Sequence, residues 1–185
     1  MKIGSVISSI AQIANRDHDL LQGLGDDDHT QYLDWTNRGK RIVKDADEIV
    51  NNSTVLQNDD HFSFAIGANE IWLVLILPRL TNFNTANYMG DWSLPAGASR
   101  AFMMFTTTSV SYGGNVEGQT NDCFGGAGAI RVIVTQDTEV PSIIYSVIYN
   151  GANDGTAQWQ WAQAAAKVKD STEKANSILI AIKIA

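Results

Sequence analysis

From residue 55 onward, apolar positions recur with a period of two. Phe62, Phe64 and Ile66 alternate with His61, Ser63 and Ala65, the pattern of a strand with one covered face. The next run, Ile71-Trp72-Leu73-Val74-Leu75-Ile76-Leu77, is apolar at every position, which predicts a strand buried on both sides. A lone sandwich wets one face of each of its sheets, so the second face of this strand needs a cover. A symmetry-related subunit would supply one economically. Further strands are predicted over 88–94, 100–109, 130–136, 142–149, 156–165 and 177–184. Turn-rich segments at 82–87, 95–99, 113–128 and 150–155 separate them. Residues 162–174 imitate a helix through Ala164, Ala165 and Ala166, but the preceding Gln158-Trp159-Gln160-Trp161 alternation favours strand, then loop. Trp159 and Trp161 share one strand face; core packing is the favoured reading and a sugar-stacking pair the other. About eight short strands without a long helix indicate an all-β fold, an antiparallel β-sandwich of jelly-roll type.

The front of the chain reads differently. Residues 1–54 are expected to form an N-terminal anchoring and trimerisation segment, an arm that is extended or short-helical, ahead of a sandwich domain over 55–185. Ile3, Val6, Ile10 and Ile13 follow spacings of three, four and three, an a/d seam whose β-branched residues favour three strands over two. Two heptads are too short to hold alone, and an arm docked on another surface reads equally well. Gly23 and Gly25 permit a turn, and Asp26 or Asp27 suits the cap of a short helix running through His29, Gln31 and Tyr32. The polar stretch 34–54 is expected to be a connector with one short strand at 41–44.

Charge sharpens this division. The net charge of −7 over 185 residues is uneven: residues 1–70 hold 12 acidic and 6 basic side chains, and residues 71–185 hold 8 and 7. No basic patch with interleaved aromatics occurs, so no nucleic-acid partner is expected. No run has the length needed to span a bilayer, so no membrane is expected either. The opening residues resemble a signal peptide, but Ser8, Ser9 and Gln12 interrupt the apolar part. Cys123 is the only cysteine, which excludes an intrachain disulfide and fits assembly in a reducing cytoplasm.

The acidic run Asp26-Asp27-Asp28 beside His29 crowds three like charges, which an isolated chain gains nothing by ordering. Copies of the same segment could order it, through capping and hydrogen bonds at a trimer junction, with Leu21, Leu24, Tyr32 and Leu33 packing together. Three copies of Asp28 and His29 about an axis offer a second reading, an axial ion; EF-hand spacing is absent. Asn58-Asp59-Asp60-His61 reads as turn material that precedes a strand. Neighbouring carboxylates of this kind lack the second, separated partner that glycoside cleavage needs. No G-x-S-x-G, HExxH or phosphate loop is present. Neither an enzyme nor a cofactor is expected.

Leu21-Gln22-Gly23-Leu24-Gly25-Asp26-Asp27-Asp28-His29-Thr30-Gln31-Tyr32-Leu33 resembles the GL-x-DDDH-x-QYL segment of tailed-bacteriophage virion proteins, among them tail fibres, head fibres and related trimeric appendages. Four further stretches are similar to a β-rich phage structural module. They are Val55-Leu56-Gln57-Asn58-Asp59-Asp60-His61-Phe62-Ser63-Phe64-Ala65, Ala68-Asn69-Glu70-Ile71-Trp72, Leu94-Pro95-Ala96-Gly97-Ala98 and Gln158-Trp159-Gln160-Trp161-Ala162-Gln163. The resemblance implies a structural role on the outer surface of a virion assembled in the host cytoplasm. The expected protein is a homotrimeric capsid decoration or head fibre, held to the major capsid protein or another virion protein by its N-terminal arm. A short tail fibre or receptor-binding protein, touching a host glycan through the loops at 82–87 and 113–128, is the alternative, and a free carbohydrate-binding module a third. The chain has no shaft repeat, which favours the head.

Overall fold

The computed structural model describes residues 38–81, 85–106, 130–132 and 139–185. They belong to a compact unit, Asp34–Ala185. Twelve strands and no helix occur among the described residues. In order they are β1 (Gly39–Val43), β2 (Glu48–Val50), β3 (Gln57–Ile66), β4 (Ile71–Leu77), β5 (Arg79–Thr81), β6 (Tyr88–Ser93), β7 (Ser99–Thr106), β8 (Ile130–Val132), β9 (Val140–Tyr149), β10 (Gly155–Gln163), β11 (Ser171–Glu173) and β12 (Ile178–Lys183).

The pairing is nested. β1 pairs with β12, β3 with β10, β4 with β9 and β6 with β8, every pair antiparallel. The chain is thus one long hairpin whose successive rungs fall alternately into two sheets. One sheet has the order β1-β12-β4-β9, and the other β3-β10-β6-β8. That interleaving is the jelly roll expected from the sequence. β7 extends the larger sheet beyond β9, while β5, β11 and β2 continue it from the start of β9.

Alternation sends one set of side chains inward. Phe62, Phe64, Trp72, Val74, Ile76, Trp92, Ile144, Ile148, Trp159, Trp161 and Leu179 form the buried core. The Trp pair is therefore interior and offers no exposed sugar platform. Each core indole N–H donates within the fold: Trp72 to Glu70, Trp92 to Ser146, Trp159 to the Tyr88 hydroxyl and Trp161 to Glu48, as buried donors require.

Two expectations need correction. The stretch 34–54 is not a mere connector: β1 and β2 lie within it and pair with β12 and β11. Asn58-Asp59-Asp60-His61 lies inside β3 rather than before it. The turn chemistry is nonetheless there. Asn58 pairs with Gln160 and Ser63 with Gln158, so four β3 residues stand opposite Trp159 alone. Asp59 closes this wide bulge by accepting from the His61 and Phe62 amides at 2.8 and 2.7 Å, as an aspartate does in a local turn. The Gln158 side-chain Nε2 then donates to the Asp59 and Phe62 carbonyls within the bulge.

The motifs that carry the module resemblance are likewise turn devices. Asn69 takes a left-handed φ of 60° between β3 and β4, and Glu70 accepts from the Gly67 amide at 2.7 Å and the Trp72 indole at 2.9 Å. Gly97 has a φ of 85° in the turn closed by the Ala98 amide on the Pro95 carbonyl.

Candidate functional site

Every residue expected to anchor or trimerise the chain, namely Ile3, Val6, Ile10, Ile13, Leu21, Leu24, Asp26, Asp27, Asp28, His29, Gln31, Tyr32 and Leu33, lies outside the described residues. So does the Asp28–His29 pair considered for an axial ion. Among the described residues, no three His, Cys, Asp or Glu side chains are grouped as metal ligands. Three other features stand out in the compact unit.

The first is the outer face of the larger sheet. β4 turns Trp72, Val74 and Ile76 inward, and Ile71, Leu73, Leu75 and Leu77 outward, where they stay half-buried. Its neighbours continue the pattern. β12 adds Ile178, Ile180 and Ile182, and β7 adds Ala101 and Met103. β9 adds Val147 with Ile143, Tyr145 and Tyr149, the last three 45, 40 and 47 % exposed. Register turns these into continuous rows, such as Ile180, Leu75, Tyr145 and Met103 across four strands. None of these outward positions is charged, whereas a water-facing antiparallel sheet alternates apolar with polar residues. The sequence announced this surface through the unbroken run of β4, and β9 and β12 repeat the signal.

The second is a buried charge cluster that sequence reasoning missed. Lys44 follows β1 and is wholly buried. Its ammonium lies 2.7 Å from both Glu48 Oε2 on β2 and Asp59 Oδ2 on β3. It therefore ties the larger sheet to the smaller one. Burial disfavours the Lys44 ammonium, but Glu173, Asp59 and Glu48 outweigh burial and raise its pKa. Burial likewise works against the Glu48 carboxylate, yet the Lys44 ammonium, the Asp60 amide and the Gln57 side chain hold its pKa below the usual range. For Asp59, burial prevails over its donors and raises the pKa. Glu173, on β11, is wholly buried, and burial together with Asp59 pushes its carboxyl well upward. Burial thus favours the protonated form of Glu173, which lies close to the buried Tyr88 hydroxyl and whose Oε1 has no hydrogen-bond partner among the described residues.

This assignment has a pH signature. A carboxyl whose folded pKa is raised contributes its stability fully below the unfolded pKa and loses it as pH rises through the folded value. Glutamine mimics the protonated form and does not titrate. Glu173→Gln should therefore match the parent near about pH 4, then exceed it by up to about 1.4 kcal/mol for each further pH unit until Glu173 ionises. Urea unfolding between about pH 4 and 8 reads this directly; a difference that stays constant with pH would show Glu173 to be ionised in the fold.

The third is an open cleft of about 380 Å³ at the β3–β4 turn, lined by Lys40, Gly67, Glu70, Asp154, Gly155 and Lys183 among others. Glu70 is already engaged there by the Gly67 amide, the Trp72 indole and, at 3.2 Å, the Lys183 ammonium. Burial acts to raise its carboxyl, but these donors win and lower it. No nucleophile paired with a base lines the cleft.

The apolar face can bury surface against another protein, the charge cluster locks two sheets in one register, and the cleft offers alternating charges to a polar ligand. Comparisons with protein-family models, with curated proteins and with solved structures found no match to this chain.

Proposed function

We propose that the chain is a structural protein of a tailed-phage virion, a homotrimeric capsid decoration or head-fibre protein attached through its N-terminal arm. The observation that carries the structural reading is the uncharged, half-exposed outer face of β12, β4, β9 and β7, set on a jelly-roll body. A surface of this kind works by burying area against protein. The phage assignment is supported by the resemblance of residues 21–33 and of the turn motifs to virion segments. A short tail fibre recognising a host glycan is the second reading. The cleft beside Glu70, with cationic and anionic side chains side by side, favours it as far as a sugar's hydroxyl groups want both donors and acceptors.

Two measurements test the proposal. Light scattering of the full-length protein should give a mass of three 20.1 kDa chains, and the protein should co-purify with intact capsids until residues 1–20 are deleted. A monomer that ignores capsids but is retained on a glycan array would replace the first reading by the second.

A further inference from the structure

We propose that the outer face of β1-β12-β4-β9-β7 lines a threefold axis, with β4 innermost and two further copies of this chain as its occupants. The inference rests on the trimeric part of the proposed function and not on the virion part.

The dimensions support three copies. Five strands at about 4.8 Å make a face about 24 Å wide, and seven residues at about 3.3 Å make it about 23 Å tall. Three such faces set as the sides of a triangular prism place each sheet about 7 Å from the axis, against the roughly 5 Å that each sheet's side chains fill between two packed sheets. Leu73 and Leu75, on the middle strand of the five, are then the residues that close the centre. A trimer of this form buries about 1,600 Å² of face in total, about 550 Å² for each of its three pairwise contacts.

The shape of the face agrees. Along one row, Gly39 on β1 and Ala101 on β7 stand at the two edges, with Ile182, Leu73 and Val147 between them. In that row, small residues at the edges and large ones in the middle give the taper that three sheets need where they converge at the prism corners, while the row beside it has Met103 at its β7 edge. Two faces packed flat would need even thickness instead. Arg41 ends the next row, on exposed β1, where its head reaches water. The β-branched spacing of Ile3, Val6, Ile10 and Ile13 independently favours three strands over two. With no charge among the outward residues of β12, β4, β9 and β7 to select a different partner, the complementary surface at hand is the same face on another copy.

The test uses full-length protein and native mass spectrometry at micromolar concentration, with circular dichroism to confirm folding. The parent should be trimeric. Leu75→Glu sets three like charges on the axis and should lower the mass from three chains to one, leaving the β spectrum intact. Tyr145→Arg should do the same; that side chain is 40 % exposed, so the variant keeps the inference testable if Leu75→Glu does not fold. Ile49→Glu, on the short strand β2 outside the five-stranded face, should stay trimeric. A parent trimer unaffected by either face substitution would overturn the inference while leaving the trimeric reading in place, the N-terminal segment then holding the copies. A parent dimer would mean twofold pairing of flat faces and would overturn it too. A parent monomer would remove the inference and the trimeric reading together.

Discussion

Lys44→Met is expected to destabilise the protein by about 3–5 kcal/mol at neutral pH, the range seen when one partner of a buried ion pair is removed. The side chain is wholly buried, and its ammonium is 2.7 Å from each of two buried carboxylates on different sheets. Its positive charge also lies over the Phe62 ring, 5.4 Å from the centroid. Methionine keeps most of the volume and removes the charge, so Glu48 and Asp59 are left buried without a counter-ion. Both must then either stay charged at a desolvation cost or take up protons. Their folded pKa values rise above the unfolded ones, so the variant loses stability as pH rises through the folded values. The deficit should therefore be small near about pH 4 and large at pH 7 and above. Denaturant unfolding at both pH values, at one fixed protein concentration because assembly shifts apparent stability, checks the claim. A deficit under about 1 kcal/mol at neutral pH would mean that the cluster is hydrated rather than dry. Adding Glu48→Gln and Asp59→Asn to Lys44→Met should return part of the loss, since it removes the unpaired charges.

Much of this fold is legible in the sequence because alternation is a local property. The predicted strands at 88–94, 142–149, 156–165 and 177–184 correspond to β6, β9, β10 and β12. The doubly apolar β4 signalled a face that its own sheet partner does not cover. Lys44, Glu48 and Glu173 were illegible for a physical reason. Glu48 and Glu173 sit in the three-residue strands β2 and β11 and Lys44 follows β1, positions that look like solvated edges, and their burial comes with contacts distant in sequence, such as Lys44 with Asp59 and Glu48 with Trp161. The Asn58–Asp60 turn was read correctly as chemistry and wrongly as position. Asp59 does bond forward to the next amides, but it does so within a strand, in a bulge that stands opposite Trp159. The segment 21–33, on which the resemblance to virion proteins centres, carries no alternation. Nothing local in it says what it packs against.

Trp159 supplies the other large effect. Trp159→Ala should cost about 3–5 kcal/mol, as deletion of a fully buried aromatic does. The indole is wholly buried. It meets Trp92 edge-on at a centroid distance of 5.2 Å and Phe102 at 6.1 Å, and donates to the Tyr88 hydroxyl at 3.0 Å. It reaches the backbone of Gly90 on β6, where an added Cβ would stand 2.4 Å from its Cζ2 atom. Glycine at 90 and tryptophan at 159 are thus one device: the missing side chain on one strand makes the slot for the indole on the next. Gly90→Ala alone should therefore cost about 1–3 kcal/mol through overpacking. In the Trp159→Ala background the same methyl enters the vacated space and should cost little or nothing. The double-mutant cycle should then show a coupling of at least about 1 kcal/mol. Two losses that simply add would mean that the strand can shift away from the ring, and the slot would be a consequence of sheet packing rather than its cause.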